Sequence, residues 1–448
     1  MSMTDPPDAA TIIAAFRLVL RREPESPGVI RHYLDLGIPL GELMAALLES
    51  EEFRERQRRL YTRDDLRLDG PPAPPLAAAR ALLFGAYGNG NVGDSAQAEA
   101  MAWLLQRMAG DTPLSVAATS WERRVPFAPS GIEVLRPDAL LRPEHVRPRT
   151  RDADGGGADL IAIGGGGLMG APHYPLHERG WAEWFVRRGV PFALLGVGGS
   201  AQALQVPEWR DAYCLLLQHA AFVGLRDAET LEAARLVRAE ASWFPDPVLA
   251  RALLEPVPAQ ETTRPWDALL IPRAPNSAED RAALTGLLAM AEGNPRLQIA
   301  ALEPQADACW AAGRPVHMVE DWQALMALCR QACFVVSARL HGVAAALAAG
   351  CGVVGLVQPK IGDLLERLGL TQYFVPSGWE GTPDLSAAAA SAFRAAYARG
   401  SLPAMLEMRE AIERAAACLR PALTRHALTR HALTRHALPK ATGRRVKR

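Results

Sequence analysis

Along residues 80–258, short apolar runs alternate with stretches where apolar positions recur every three or four residues. ALLFGAYG (81–88), ADLIAIGGGG (158–167) and VPFALLGVGG (190–199) predict strands buried on both faces, with helices from Asp94 to Met108 and near Trp181 to Arg188 between them. A second series follows Trp266: DALLIPR (267–273), LQIAALE (297–303), ACFVVSAR (332–339) and GVVGLV (352–357), separated by helical patterns from Ala278 to Ala291 and near Trp322 to Arg330. Such alternation predicts parallel sheets flanked by helices, so the chain reads as α/β with two doubly wound Rossmann-like lobes, residues 80–258 and 259–420. Ligands of such folds sit beyond the carboxyl ends of the strands.

The first 60 residues follow another pattern. Ile12, Phe16, Val19 and Leu20 recur at helical spacing until Pro24 and Pro27; Val29, Ile30, Tyr33 and Leu34 follow until Gly37; Leu40, Leu43, Leu47 and Leu48 precede Ser50-Glu51-Glu52-Phe53. A small all-α module over residues 1–60 is predicted. Residues 61–79, with PPAPP at 71–75, predict a linker. Residues 421–448 carry ALTRH three times, and a period of five gives no single amphipathic face. They predict a basic, partly helical or disordered tail, suited either to an anionic membrane surface or to water alone.

Charge sharpens this picture. The tail holds eight Lys or Arg and no Asp or Glu, so the formal net charge of zero leaves residues 1–420 eight charges negative. An acidic body argues against nucleic acid as a partner. Cys214, Cys309, Cys329, Cys333, Cys351 and Cys418 are scattered without CxxC spacing and read as reduced thiols. The start, MSMTDPPDAATIIAAF, lacks the basic and long apolar regions of a secretory signal, so a cytoplasmic location is expected. Phe334 to Val357 is the most apolar stretch, yet Arg339 and His341 interrupt it. Burying that Arg in a bilayer would cost about 2.5 kcal/mol or more, so strand, turn, helix, strand is the better reading.

Four segments carry candidate chemistry. GAYGNGNVGDSAQAEAM (85–101) is a strand-to-helix turn whose glycines let backbone N–H groups approach an anion; Asn91 reads as a turn or ligand residue, and Asp94 as a helix cap or a functional carboxylate. GGGGLMG (164–170), with Gly165 and Gly166, and GVGG (196–199) read as turns where backbone passes a ligand or a helix. His173 and His177 stand four apart with no Cys or carboxylate at ligand spacing, so no metal site is expected there. In FVGLRDAETL (222–231), Arg226 ends a strand and suits phosphate or carboxylate, Asp227 is placed to cap the next helix, and Asp246 in FPDP (244–247) either orders a turn or holds Arg226. In VVSARLHGVAAALAAGCGVVGLVQPK (335–360), Arg339 and His341 stand where an apolar strand becomes a helix, and Lys360 follows the next strand. Cationic groups meeting in one cleft imply an anionic ligand.

That ordered set of GNxGD, a GGG turn, RD, DP and RLHG with a later Lys resembles the polysaccharide pyruvyl transferase family over about residues 80–385. AFRLVLRREP, Tyr33-x-x-x-Gly37 and the closing SEEF resemble a small helical module fused to bacterial glycan-modifying enzymes, which implies a docking or spacing role. The resemblance implies a two-lobed fold like that of GT-B glycosyltransferases, with phosphoenolpyruvate as donor between the lobes, no cofactor or metal, and a sugar or lipid-linked oligosaccharide acceptor. Arg226, Arg339 and His341 are then the expected donor contacts, Lys360 a fourth that here follows Gln-Pro rather than an aromatic residue, and the turn Asn91 to Asp94 faces the acceptor, with Gly165 and Gly166 beside the substrates. His341 would protonate the donor's methylene carbon and Asp94 would accept a sugar hydroxyl proton. Two other readings compete. A glycosyltransferase using a nucleotide sugar would need an acidic residue for the ribose, and none is clearly placed. A glycan-binding scaffold without catalysis would leave Arg226, Arg339 and His341 unexplained.

Overall fold

A computed structural model describes residues 6–20, 23–50, 52, 79–88, 90–119, 132–135, 157–171, 175–255, 264–273, 277–290, 294–303, 307, 315–377 and 383–434. The chain divides into a small N-terminal unit, residues 1–69 with 137–142, and a large unit comprising the rest.

In the small unit, α1 (Ala9–Val19), α2 (Pro27–Leu36) and α3 (Leu40–Glu49) are the three helices the spacing predicts. The Asp8 carboxylate caps α1 by accepting the Thr11 N–H at 2.8 Å. Pro27 opens α2, and Gly37 closes it at φ 58°, the left-handed conformation that favours glycine. Ile12, Phe16, Leu20, Leu43 and Leu47 form the buried core, with the Tyr33 ring edge-on to Phe16 at 5.7 Å.

The large unit opens with β1 (Ala79–Phe84), α4 (Val92–Ala109), β2 (Leu114–Thr119), β3 (Glu133–Leu135) and β4 (Leu160–Met169). It continues through α5 (Arg179–Arg187), β5 (Phe192–Gly199), α6 (Pro207–His219), β6 (Phe222–Leu225), α7 (Ala228–Arg235), β7 (Ser242–Trp243) and α8 (Pro247–Leu254). These strands form one parallel sheet in the order β3-β2-β1-β4-β5-β6-β7. A second parallel sheet is built from β8 (Trp266–Ile271), α9 (Ala278–Met290), β9 (Leu297–Ala301), β10 (His317–Met318), α10 (Trp322–Arg330), β11 (Ala332–Ser337), α11 (Leu340–Ala348), β12 (Gly352–Leu356), α12 (Pro359–Arg367) and β13 (Phe374–Val375). Its order is β10-β9-β8-β11-β12-β13. Both lobes are thus doubly wound. The order reverses between β1 and β4 in the first and between β8 and β11 in the second, and the crevices at those points are the natural ligand positions.

Burial explains the sequence pattern. Every residue of β1 and of β12 is buried, as strands covered on both faces require. Phe84, Trp181 and Phe185 interlock under the first sheet, with ring centres 5.4 Å apart for Phe84–Phe185 and 5.7 Å for Phe84–Trp181. Each such ring contributes roughly 1.5–3 kcal/mol by leaving water.

Three local expectations change. The first strand ends at Phe84 rather than running to residue 88. The glycine run expected to turn remains in β4 through Met169, with a register shift between Gly167 and Met169. A Cβ at Gly164 would strike the Leu195 carbonyl and one at Gly199 the Met169 carbonyl, so glycine lets β4 and β5 lie side by side. A last helix, α13 (Ala387–Thr434), crosses the expected 420/421 boundary: Ala422 and Leu423 are buried, and Arg420 Nε donates to the Met108 carbonyl at 3.3 Å. The linker apart from Ala79, His173, Cys309 and residues 435–448 lie outside the described residues, and the side chains of residues 425–434 are not described either. Among the described residues, Cys214, Cys329, Cys333, Cys351 and Cys418 are free thiols, and no helix is long and apolar enough to cross a membrane.

Candidate active site

The carboxyl ends of both sheets open onto one polar cavity of about 300 Å³, lined by Asn91, Asp94, Gly166, Gly167, Arg226, Arg273, Leu302, Glu303, Ala338, Arg339, Leu340, His341 and Lys360. Asn91, not Asp94, caps α4: its side-chain Oδ1 accepts the Gly93 N–H at 2.9 Å. Asp94 therefore lies in the first helical turn. Val92 N–H donates to the Leu302 carbonyl at 3.1 Å, which joins the start of α4 to the end of β9.

Arg226 immediately follows β6, with a side chain only 7% exposed. Its Nη1 donates to Asp246 at 2.5 Å, and its Nε lies 3.5 Å from Asp227. Burial opposes this charge, but Asp246 and Asp227 outweigh it and hold the guanidinium more firmly protonated than usual. Asp246 does both things the sequence left open, since its other oxygen accepts the Val248 and Leu249 N–H groups and starts α8. Asp227 departs from expectation. It occupies the cap position of α7, yet its side chain makes no cap bond and accepts the Gly199 N–H at 2.8 Å instead.

Across the cavity, Arg339 stands where β11 passes into α11, a turn pinned by Ser337 Oγ, which accepts the Arg339 N–H and donates to its carbonyl. The Arg339 Nη2 meets Asp307 at 2.5 Å and Glu303 at 2.8 Å. Asp307 is fully buried and also accepts the Leu302 and Glu303 N–H groups, so it orders the end of β9 as well. Burial pushes the Asp307 carboxyl up despite Arg339.

His341, on the first turn of α11, reaches the other lobe. Its Nε2 lies 2.8 Å from Gln97 Nε2 and 3.7 Å from Asp246. Gln97 Nε2 also donates to Asp246 at 2.7 Å, and because that carboxylate only accepts, the amide nitrogen must face it. His341 Nε2 then accepts from Gln97, which leaves the proton of the neutral ring on Nδ1. That nitrogen packs over Gly93, where any Cβ would collide with it.

Lys360 lies in the first turn of α12, and burial together with Arg226 and Arg273 brings its ammonium down to about 8. The sequence reading missed Arg273, Glu303, Asp307 and Gln97. Of the residues it named, Asn91, Asp94, Gly166, Arg226, Arg339, His341 and Lys360 come together on the cavity. Gly165 does not line it: at φ 66° it faces the Gln97 side chain, where a Cβ would lie 2.5 Å from Oε1. His177, offered as half of a rejected metal pair, stacks near Trp209 with ring centres 5.0 Å apart. No group of three His, Cys, Asp or Glu suited to a metal occurs among the described residues.

Solved structures to which this chain is similar include UDP-GlcNAc 2-epimerase from Neisseria meningitidis bound to UDP-GlcNAc, at 11% identity over 80% of this chain and 100% of that one, with a TM-score of 0.42. A putative UDP-N-acetylglucosamine 2-epimerase from Listeria monocytogenes matches at 14% identity over 80% and 95%, TM-score 0.43, and the glycotransferase of kitacinnamycin at 15% over 77% and 99%, TM-score 0.41. No curated protein matches the chain. The family description polysaccharide pyruvyl transferase matches residues 91–358, well over half of the 448 residues. The matched span starts on the α4 cap and stops two residues short of Lys360, so it takes in all the other lining residues. On that match the chain belongs to the polysaccharide pyruvyl transferase family.

Proposed function

We propose that the cavity binds phosphoenolpyruvate and transfers its pyruvyl group, as a ketal, to two hydroxyls of a sugar in a surface polysaccharide or its precursor. The observation that carries this reading is the meeting of Arg226, Arg273, Arg339, Lys360 and His341, from strand ends of both lobes, in one small polar space. A compact donor bearing a carboxylate and a phosphate matches that chemistry.

His341, charged when its second ring nitrogen takes a proton, donates to the methylene carbon of the donor. The C2 atom becomes electrophilic, and a sugar hydroxyl adds to it while Asp94 takes the hydroxyl proton. The bond from C2 to the phosphate oxygen then breaks, the second hydroxyl adds to C2, and the ketal forms. Of the two hydroxyl protons released, one replaces the proton lost by His341 and the other leaves on phosphate, so the step balances without an oxidant or reductant. Arg226 and Arg339 contribute hydrogen bonds to donor and leaving group, since each still holds guanidinium N–H groups beyond those given to carboxylates.

His341→Ala removes the proton donor and is expected to lower acceptor-dependent phosphate release about 10²- to 10⁴-fold with the fold retained. Asp94→Asn is expected to slow the same assay while leaving donor binding intact. Unchanged turnover in His341→Ala refutes the assignment.

A further inference from the structure

His341 and Asp246 come from different lobes, and His341 Nε2 stands 3.7 Å from the carboxylate, outside hydrogen-bond reach. Gln97 fills the gap. It lies one turn into α4, fully buried, and its Nε2 donates to Asp246 at 2.7 Å and to His341 Nε2 at 2.8 Å. Both amide hydrogens are thereby engaged, and among the described residues the buried Oε1 has no hydrogen-bond partner. The opposite amide orientation would set Oε1 against the Asp246 carboxylate, so that carboxylate imposes the orphan oxygen. Packing alone gives no reason for such a group, since a Met or Leu of similar volume would leave no buried acceptor unsatisfied.

Resting on the phosphoenolpyruvate reading, we propose that Gln97 is a positioning residue for His341: it occupies Nε2 and keeps the ring off Asp246, which makes Nδ1 the nitrogen that hands the proton to the donor. Three features support the assignment. A histidine facing a buried carboxylate directly would carry the hydrogen of its neutral ring on Nε2 and leave Nδ1 bare, and Gln97, by donating to Nε2, reverses that choice. Nε2 faces two buried side chains, Gln97 and Asp246, whereas Nδ1 lies over Gly93, in the turn whose Asn91 and Asp94 line the cavity. Glycine fixes ring and amide alike, since a Cβ on Gly93 would strike Nδ1 and one on Gly165 would lie 2.5 Å from Gln97 Oε1. When the ring is charged for the transfer, both nitrogens carry hydrogen, and Nε2–H turns to Asp246 in place of the amide. Nδ1–H then goes to the methylene carbon: the N–H bonding pair stays on nitrogen, and the π pair between C2 and the methylene carbon forms the new C–H bond.

Nuclear magnetic resonance of the protein labelled with nitrogen-15 histidine decides the matter, with the His341 ring signals identified by their loss in His341→Gln. In alkaline buffer without ligand, where imidazole is neutral, wild type is expected to carry the His341 hydrogen on Nδ1, and Gln97→Met, which frees Nε2 to face Asp246, is expected to carry it on Nε2. In the phosphate-release assay Gln97→Met is expected to lower kcat about 10- to 100-fold, while calorimetry gives a phosphoenolpyruvate affinity within about twofold of wild type. A wild-type ring with its hydrogen on Nε2 overturns the proposal, and this result does not depend on how any variant folds. A folded Gln97→Met protein that keeps the wild-type ring signals or the wild-type kcat overturns it as well, as does a loss confined to donor affinity. Wild-type protein that takes no phosphoenolpyruvate refutes the donor reading itself, whereas the ring signals still report on the tautomer that Gln97 sets.

Discussion

Asp246→Asn changes one charge at the point where the two lobes meet. The native carboxylate is 3% exposed; one oxygen serves Arg226 and Gln97 and the other starts α8. Asn has a single acceptor oxygen, so it can serve the helix or the guanidinium but not both. Removing one partner of a buried ion pair costs about 3–5 kcal/mol, and the lower end applies here because Asp227 still stands 3.5 Å from Arg226. At roughly 2–4 °C per kcal/mol for a domain of this size, the melting temperature should fall by about 6–12 °C. Differential scanning fluorimetry reads this directly. Arg226→Met with Asp246→Leu should lose less than the single change, because a buried pair replaced by apolar groups leaves no stranded charge. Burial works to raise the Asp246 carboxyl, but His341, Arg226 and Gln97 hold it below the ordinary carboxylate range. Its contribution is therefore complete above about pH 4 and is lost only as pH falls through the depressed folded value, so wild type and variant should converge only in strong acid. A melting temperature within about 1 °C of wild type at neutral pH would refute the reasoning.

Lys360 gives a second pH signature. Burial, Arg226 and Arg273 lower it to about 8, against the pull of Asp227 and Asp94, so between that value and the ordinary lysine range the unfolded chain holds more protons than the folded one. The ligand-free protein should gain stability as pH rises through this window, while phosphoenolpyruvate affinity falls; Lys360→Met should flatten both trends in melting and calorimetric series. Gly93→Ala would ordinarily favour a helix by roughly 0.5–1 kcal/mol, but here its Cβ collides with the His341 ring. Turnover should drop about 100-fold with donor affinity little changed, and a fully active variant would contradict the placement of His341.

The alternation of apolar runs with helical spacing revealed both lobes because each strand is buried on two faces, so its whole length is hydrophobic. Arg226, Arg339 and His341 were legible for the same reason: charge at the end of an apolar strand has no place in a core. Their partners were not. Gln97 sits inside a helix and meets His341 across 244 residues, and Asp307 meets Arg339 across 32, pairings that no local pattern encodes. Arg273 left a usable signal, since it closes DALLIPR and the strand order makes the end of β8 a switch point. Asn91 and Asp94 compete for one helix start, and the spacing alone does not decide which of the two caps it. Gly165 and Gly166 looked alike in sequence, but of the two only Gly166 lines the cavity, while Gly165 faces the Gln97 side chain.

The central claim, that this cavity transfers pyruvate from phosphoenolpyruvate to a sugar, meets its most direct test in one reaction. The purified protein is incubated with phosphoenolpyruvate and a panel of glycan acceptors, with UDP-sugars in a parallel tube, and the products are read by mass spectrometry alongside free phosphate. The account predicts an acceptor that gains one pyruvyl ketal for each phosphate released, with the UDP-sugars untouched. Consumption of a UDP-sugar while phosphoenolpyruvate remains intact would contradict it.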